Sequence, residues 1–182
     1  MNIWVLGANG SGKTPFAKMV SEALNIPLIS VSDWLSPFIK GTILLTKQDQ
    51  IDKTSEIAVR EMIKDPDCII NWVRSRLAKP SIIEGIRSPY EFTKLANLRE
   101  DVVIFLNREN NPYRTNELEA GLLVINAYVH WAANIGLLDK EKRISYSYQM
   151  EEVSDAAADF IKIFKWRGWC LECGGIGCEH QN

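Results

Sequence analysis

Along this chain, short apolar runs alternate with longer stretches of helical spacing. Residues 2–6, Asn-Ile-Trp-Val-Leu, have the length and character of a buried strand, and a glycine-rich stretch follows them. A helical pattern then runs to Leu24, Asn25 stops it, and residues 27–30 predict a second strand. From Ser32 to Gln50 the pattern is weaker, with Pro37 and Gly41 as breakers. Residues 52–64 and 67–78 predict helices separated by Pro66, and Pro80 leads into a strand at 81–84. A helix at 89–98 and a buried strand at 101–106 come next, then a polar loop at 107–115. Residues 117–138 predict a long, mostly buried helix, 143–148 a strand, and 151–164 a last helix.

Strands that alternate with helices imply a mainly parallel sheet covered on both faces. The expected fold is α/β, a doubly wound, five-stranded sheet. Such a sheet places its ligand at the carboxyl ends of its strands. The sequence shows no internal repeat and no low-complexity tract.

The glycine-rich stretch reads Gly7-Ala8-Asn9-Gly10-Ser11-Gly12-Lys13-Thr14 and meets G-x-x-x-x-G-K-[ST] between a strand and a helix. Glycines there let successive backbone N–H groups turn toward a phosphate, and the helix adds its positive amino end. Lys13 would reach the β- and γ-phosphates and the Thr14 hydroxyl would bind Mg²⁺.

The other strand ends add charge. Ile82-Ile83-Glu84-Gly85 puts a carboxylate after an apolar run; Glu84 either holds a metal-bound water, accepts a proton from an acceptor hydroxyl, or caps the next turn. Arg87 either clamps a phosphate or pairs with Glu91. Asp33, in Ser30-Val-Ser-Asp-Trp34, either orients an acceptor hydroxyl or caps the segment that follows. In the polar loop, Arg108 and Arg114 are candidate lid cations. His130, alone on an apolar helix, reads as a packed residue rather than a catalyst.

The set GANGSGKT, LISVSDWL and IIEGIRSPYEF resembles P-loop nucleoside-monophosphate kinases and their dephospho-CoA-kinase-like relatives. Ser32 stands where that group usually has Gly, and Glu84 where it usually has Asp. The resemblance implies ATP as donor, Mg²⁺ as cofactor and a nucleotide-like acceptor. Those kinases close an arginine-bearing lid over the phosphates, whereas this chain has only Asn107 to Arg114 before its long helix. With its cysteine-rich tail, the chain also resembles in outline the bacteriophage P-loop kinases that phosphorylate hydroxymethyl pyrimidines within DNA. A nucleotide-dependent binding module is the rival from another class; its GTPase form is disfavoured because no Asn-Lys-x-Asp motif occurs.

Composition narrows the class little. With 182 residues, 46% hydrophobic and a formal net charge of -2, the chain suits one compact body and has no global basic field. The start, Met-Asn-Ile-Trp-Val-Leu, lacks the basic region and long apolar run expected of a signal peptide, and the apolar segment 118–138 contains Glu119, Asn126, His130 and Asn134. The expectation is a cytoplasmic protein, in the host cytoplasm if viral, with no membrane partner. Three of the four cysteines lie close together, in Cys170-x₂-Cys173-x₄-Cys178-x-His180. In a reducing compartment that spacing suits a structural Zn²⁺ with three thiolates and one imidazole. The expected division is a kinase domain over 1–165 and a zinc-binding tail over 166–182. Lys162, Lys165 and Arg167 interleave with Trp166 and Trp169 before the cysteines. Both tryptophans are expected to pack the tail on the body, nucleic-acid stacking being the alternative.

Overall fold

The computed structural model describes residues 1–40, 46–78, 80–113, 116–149, 152–176 and 178, with backbone only for 116–119. In chain order the elements are β1 (Ile3–Gly7), α1 (Lys13–Leu24), β2 (Leu28–Ser30), α2 (Val31–Ile39), α3 (Lys47–Lys64), α4 (Cys68–Arg74) and β3 (Ile82–Glu84). There follow α5 (Pro89–Leu95), β4 (Val102–Arg108), α6 (Asn116–Asn134), β5 (Arg143–Tyr148) and α7 (Val153–Arg167). The five strands lie in the order β2-β3-β1-β4-β5 and every pairing is parallel. This is the doubly wound sheet expected from the alternation, and the strand order reverses direction at β1.

Side-chain alternation along β1 builds two cores. Ile3 and Val5 meet Phe16, Val20, Phe160 and Phe164, from α1 and α7, on one face. Trp4 and Leu6 meet Phe92, Ile125 and Val129, from α5 and α6, on the other. Trp4 and Phe92 pack edge to face at 5.5 Å. Both faces of the strand are closed, which is why it reads as an unbroken apolar run.

Two helix boundaries differ from the expected pattern. α2 begins directly after β2 and carries Pro37 in its last turn, where the missing N–H and the ring only shorten a helix that ends at Ile39. α3 begins at Lys47 rather than Asp52, because Thr46 and Asp49 form a reciprocal capping box: Asp49 N–H donates to Thr46 Oγ1 (3.0 Å) and Thr46 N–H to Asp49 Oδ2 (2.8 Å). The Gly41 breaker lies outside the described residues.

α6 is not mostly buried. Ile125, Val129, Ala132 and Ala133 face the core, but Leu123, Val124 and Trp131 are more than half exposed. His130 is exposed too, so it is not a packed core histidine. The apolar composition had hidden the fact that only one side of the helix meets the sheet. Among the described residues no helix is long and apolar enough to cross a membrane.

The amino ends of the strands are tied by a carboxylate. Asp101 is fully buried and accepts from Asn2 N–H (2.7 Å), Trp4 Nε1–H (2.8 Å) and Asn97 N–H (2.9 Å). Three donors on one carboxylate satisfy its charge without a cation. Asp101→Ala strands those donors in the interior, and urea unfolding should show a loss of about 3 kcal/mol. Asp101→Asn, which keeps an acceptor but not the charge, should lose less; equal losses would show that acceptance without the charge contributes nothing.

Candidate active site

β1 ends at the centre of the sheet and the phosphate-binding loop leaves from there. Gly7 lies so close to β4 that a Cβ would sit 2.5 Å from the Leu106 carbonyl. Gly10 has φ +72°, and a Cβ on it would meet the Tyr113 ring at 2.6 Å. α1 starts after Gly12, and no side chain caps its amino end. Its first-turn N–H groups, together with the buried and unpartnered Asn9 Nδ2 and Ser11 Oγ, form a donor-rich concavity that fits a phosphate. Tyr148 at the end of β5 donates to the Ser11 carbonyl (2.6 Å); burial pushes its phenol up to about 12, so it stays a donor.

Lys13 is nearly buried and donates to the Ala8 carbonyl (2.7 Å). Burial, then the Arg87 charge, push its ammonium down to about 7. Arg87 donates to Asn9 Oδ1, and burial lowers its pKa as well.

Glu84 closes β3 in register with Val5 and Ser30 of the neighbouring strands. That row faces α1. Glu84 Oε1 accepts from Thr14 Oγ1–H (3.2 Å) and from the Ser30 hydroxyl, and Ser30 Oγ is 2.6 Å from Ser32 Oγ. A carboxylate and a ring of hydroxyl oxygens form the hard-oxygen donor set that Mg²⁺ takes. Thr14 and Glu84 would hold it, directly or through water.

These groups line one side of a cavity of about 700 Å³. Lys13, Thr14, Glu84, Arg87 and Arg108 all face it. Arg108, at the end of β4, donates to the Gly10 carbonyl at 3.4 Å. Asn111 donates to the Asn9 carbonyl and fixes the Tyr113 N–H at 3.1 Å, which folds the short segment after β4 over the loop.

Asp33 is not brought to this cavity. It is exposed in the first turn of α2 and lines a separate groove of about 570 Å³ with Trp34, Phe38, Trp72 and Arg76. β2 runs into α2 without a loop, so it is Ser32 that faces the cavity. Arg114 and His180 lie outside the described residues.

Glu91 is the residue the motifs missed. It is 3% exposed, faces the cavity and accepts the backbone N–H groups of Ser88 and Arg87. Burial pushes its carboxyl up to about 7, against those two hydrogen bonds and the Arg87 charge. The spacing Ser88-x-x-Glu91 before an apolar run is a helix-start signal that could have found it.

The tail lies at the other pole of the sheet. Met1 N donates to the carbonyls of Leu171 (3.0 Å) and Glu172 (2.8 Å), and Gly174 lies against the Glu100 carbonyl beside the start of β4. Cys170, Cys173 and Cys178 have Sγ atoms all within 4.8 Å of one another. Thiolates on a tetrahedral zinc are roughly 3.8 Å apart, so the cluster could hold such an ion. Gly175 N–H donates to Cys173 Sγ (3.4 Å) and Cys170 N–H to the Gly175 carbonyl (2.8 Å). The tryptophans divide. Trp169 is buried edge to face on Phe164 (5.8 Å), but Trp166 is 76% exposed with Arg167 stacked 4.8 Å above it, so only one packs the tail on the body.

The sheet order and the loop define a P-loop α/β protein with the fold of a small kinase. No family model matches the chain. Over 85 residues it is 32% identical to an adenylate kinase of Methanothrix thermoacetophila, a match that covers 47% of this chain and 37% of that relative's length. Two solved shikimate kinases share the fold, each with a TM-score of 0.53. That of Acinetobacter baumannii, solved with shikimate, is 16% identical over 91% of this chain and 93% of its own. That of Aquifex aeolicus is 15% identical over 91% and 97%.

Glu91 carries a pH signature. The folded protein keeps this proton from pH 4.5 to about 7, where the unfolded chain has lost it. Stability therefore falls across that window, by about 3 kcal/mol, and levels off above it. Glu91→Gln removes the slope. Urea unfolding should show the variant gaining on the wild type from pH 4.5 to pH 8, and parallel profiles would refute the assignment.

Proposed function

We propose that this protein is an ATP- and Mg²⁺-dependent phosphotransferase that moves the γ-phosphoryl group to the hydroxyl of a nucleotide-like acceptor. The observation that carries this is Glu84, held against Thr14 at the mouth of the phosphate loop with open cavity beyond it. The loop binds the donor phosphates, and Lys13 leaves the Ala8 carbonyl to reach the β- and γ-oxygens. Thr14 would hold Mg²⁺ directly and Glu84 would hold it through a bound water, and the ion would supply charge neutralisation for the donor phosphates. Arg87 and Arg108, and by resemblance Arg114, stabilise charge on the transferred group. The acceptor oxygen attacks the γ-phosphorus as the bond to the β,γ-bridging oxygen breaks. ADP leaves and the hydroxyl proton passes to Glu84. Asp33 has no part in this scheme.

Transfer to a hydroxymethylated pyrimidine within DNA is the narrower alternative, and a binding module without an acceptor is the broader one. The test is label transfer from ATP across nucleosides, nucleotides, cofactor precursors and modified DNA. Lys13→Ala should lower transfer at least about 10²-fold. ATP hydrolysis unaffected by every acceptor would reject phosphotransfer and leave the binding module.

In the same scheme the body is residues 1–165, and the tail, 166–182, is a structural zinc knuckle with His180 as its fourth ligand. The purified protein should contain about one zinc per chain. Cys173→Ser should lose the metal and lower Tm by about 5 °C. A metal-free protein of unchanged Tm after chelation would remove zinc from the proposal.

A further inference from the structure

The cavity has two unlike ends. Lys13, Arg87 and Arg108 stand at the phosphate-loop end. The opposite wall, built by α2, α3 and the start of α4, presents Leu35, Ile51, Ala58, Val59, Met62 and Ile69. Two hydroxyls on that wall are already committed: Thr54 Oγ1 donates to the carbonyls of Gln50 (2.8 Å) and Ile51 (3.0 Å), and Ser55 Oγ to that of Ile51 (2.8 Å). They offer lone pairs to a ligand, not protons. Lys47, at the amino end of α3, donates to Gln50 Oε1 (3.0 Å) and stands near enough to Lys13 to lower its basicity, so its charge belongs with the loop end of the cavity. Between the two ends stand two carboxylates, Glu84 and Glu91, each 3% exposed.

Charge then separates the possible acceptors. The cations at the loop end face a donor triphosphate of about four negative charges. A second phosphate, carried by the acceptor, would enter past the Glu84 carboxylate and the buried Glu91 carboxyl, which gains its charge as the pH passes about 7, and rest on apolar side chains, where an anion loses hydration without gaining a partner. An uncharged body with a ring-sized apolar face gains from the same wall by burial.

We infer, resting on the phosphotransferase reading above, that the acceptor is an uncharged alcohol with an apolar or planar body, and that the α3 wall with Glu91 rejects acceptors bearing their own phosphate. Among nucleotide-like acceptors this selects the nucleoside over the nucleoside monophosphate. Its hydroxyl oxygen bonds to the γ-phosphorus, ADP departs with the bridging oxygen, and the hydroxyl proton goes to Glu84. The product is a phosphate monoester.

The test compares nucleosides with their own 5′-monophosphates as acceptors for label from ATP, on the full chain. The expected kcat/KM favours the nucleoside at least about tenfold. Equal or preferred use of the monophosphate overturns the inference and leaves phosphotransfer standing. Label reaching neither class, nor any other acceptor of the wider screen, with ATP bound, overturns both. Two variants address the wall itself. Val59 is 58% exposed, so Val59→Lys adds a cation where a long side chain is tolerated. It should raise relative use of the monophosphate several-fold, and Glu91→Gln should shift the ratio the same way. Unchanged ratios in both folded variants would show that the wall does not set the preference.

Discussion

Everything at the site follows from β1 being paired in parallel on both sides. Its register with β3 places Val5 beside Glu84, and its register with β4 places Gly7 beside Leu106. Because the neighbours run the same way, the phosphate loop, the β3 carboxylate and the β4 arginine all emerge at one pole. The strand order reverses at β1, so the connections on its two sides part there and leave a crevice. The loop needs glycine at its first position because it leaves the strand against a backbone carbonyl. Ser30, one strand further out, falls in the same row as Glu84, which is how a hydroxyl from an edge strand reaches a carboxylate beside the central one.

The opposite pole holds the polar groups that fix the sheet. Asp101 joins β1 to the turn before β4, and the tail covers the amino end of β1 through Met1. β1 itself spans about 16 Å. The cysteine cluster is therefore separated from the phosphate loop by the length of the sheet. A metal there can tie the last segment to the first strand, but its ligands are too far away to touch a group being transferred. The aromatic that remains exposed beside it, Trp166, also sits at this far pole.

Much of the fold was legible because buried parallel strands are short apolar runs, and because Gly-x-x-x-x-Gly-Lys-Thr is a backbone shape written in residues. Glu84 and Arg87 were legible for the same reason: they end an apolar run. Asp33 was misleading because only its distance from the strand was visible, whereas the start of α2 at Val31 rotates it away from the cavity and turns Ser32 in. α6 misled in another way. Apolar composition reports that a helix can be buried, and nothing in it says on how many sides. Glu91 was hidden because its signal, a Ser three places ahead in an N-terminal box, marks helix starts of every kind. The α3 wall was hidden as well, since its residues converge on the loop only through tertiary packing.

The electrostatics of the loop support phosphate binding independently of the motif. Lys13 and Arg87 are two cations held close together in a mostly buried site, and each loses basicity through burial. Glu84 favours the charged form of both but is already shared between Thr14 and Ser30. Lys13 is left with a neutral carbonyl, and Arg87 with a neutral amide oxygen. Neighbouring buried cations on neutral acceptors are an unfavourable arrangement. It persists because the strand ends and the Gly85–Ser88 turn, pinned by Glu91, hold the groups in place. A polyanion in the loop would relieve the repulsion and favour the charged form of Lys13. The site is thus preorganised for phosphoryl groups. Glu91 adds to that preorganisation, because its buried carboxyl accepts the Ser88 and Arg87 backbone N–H groups and so holds the turn that carries the Arg87 guanidinium.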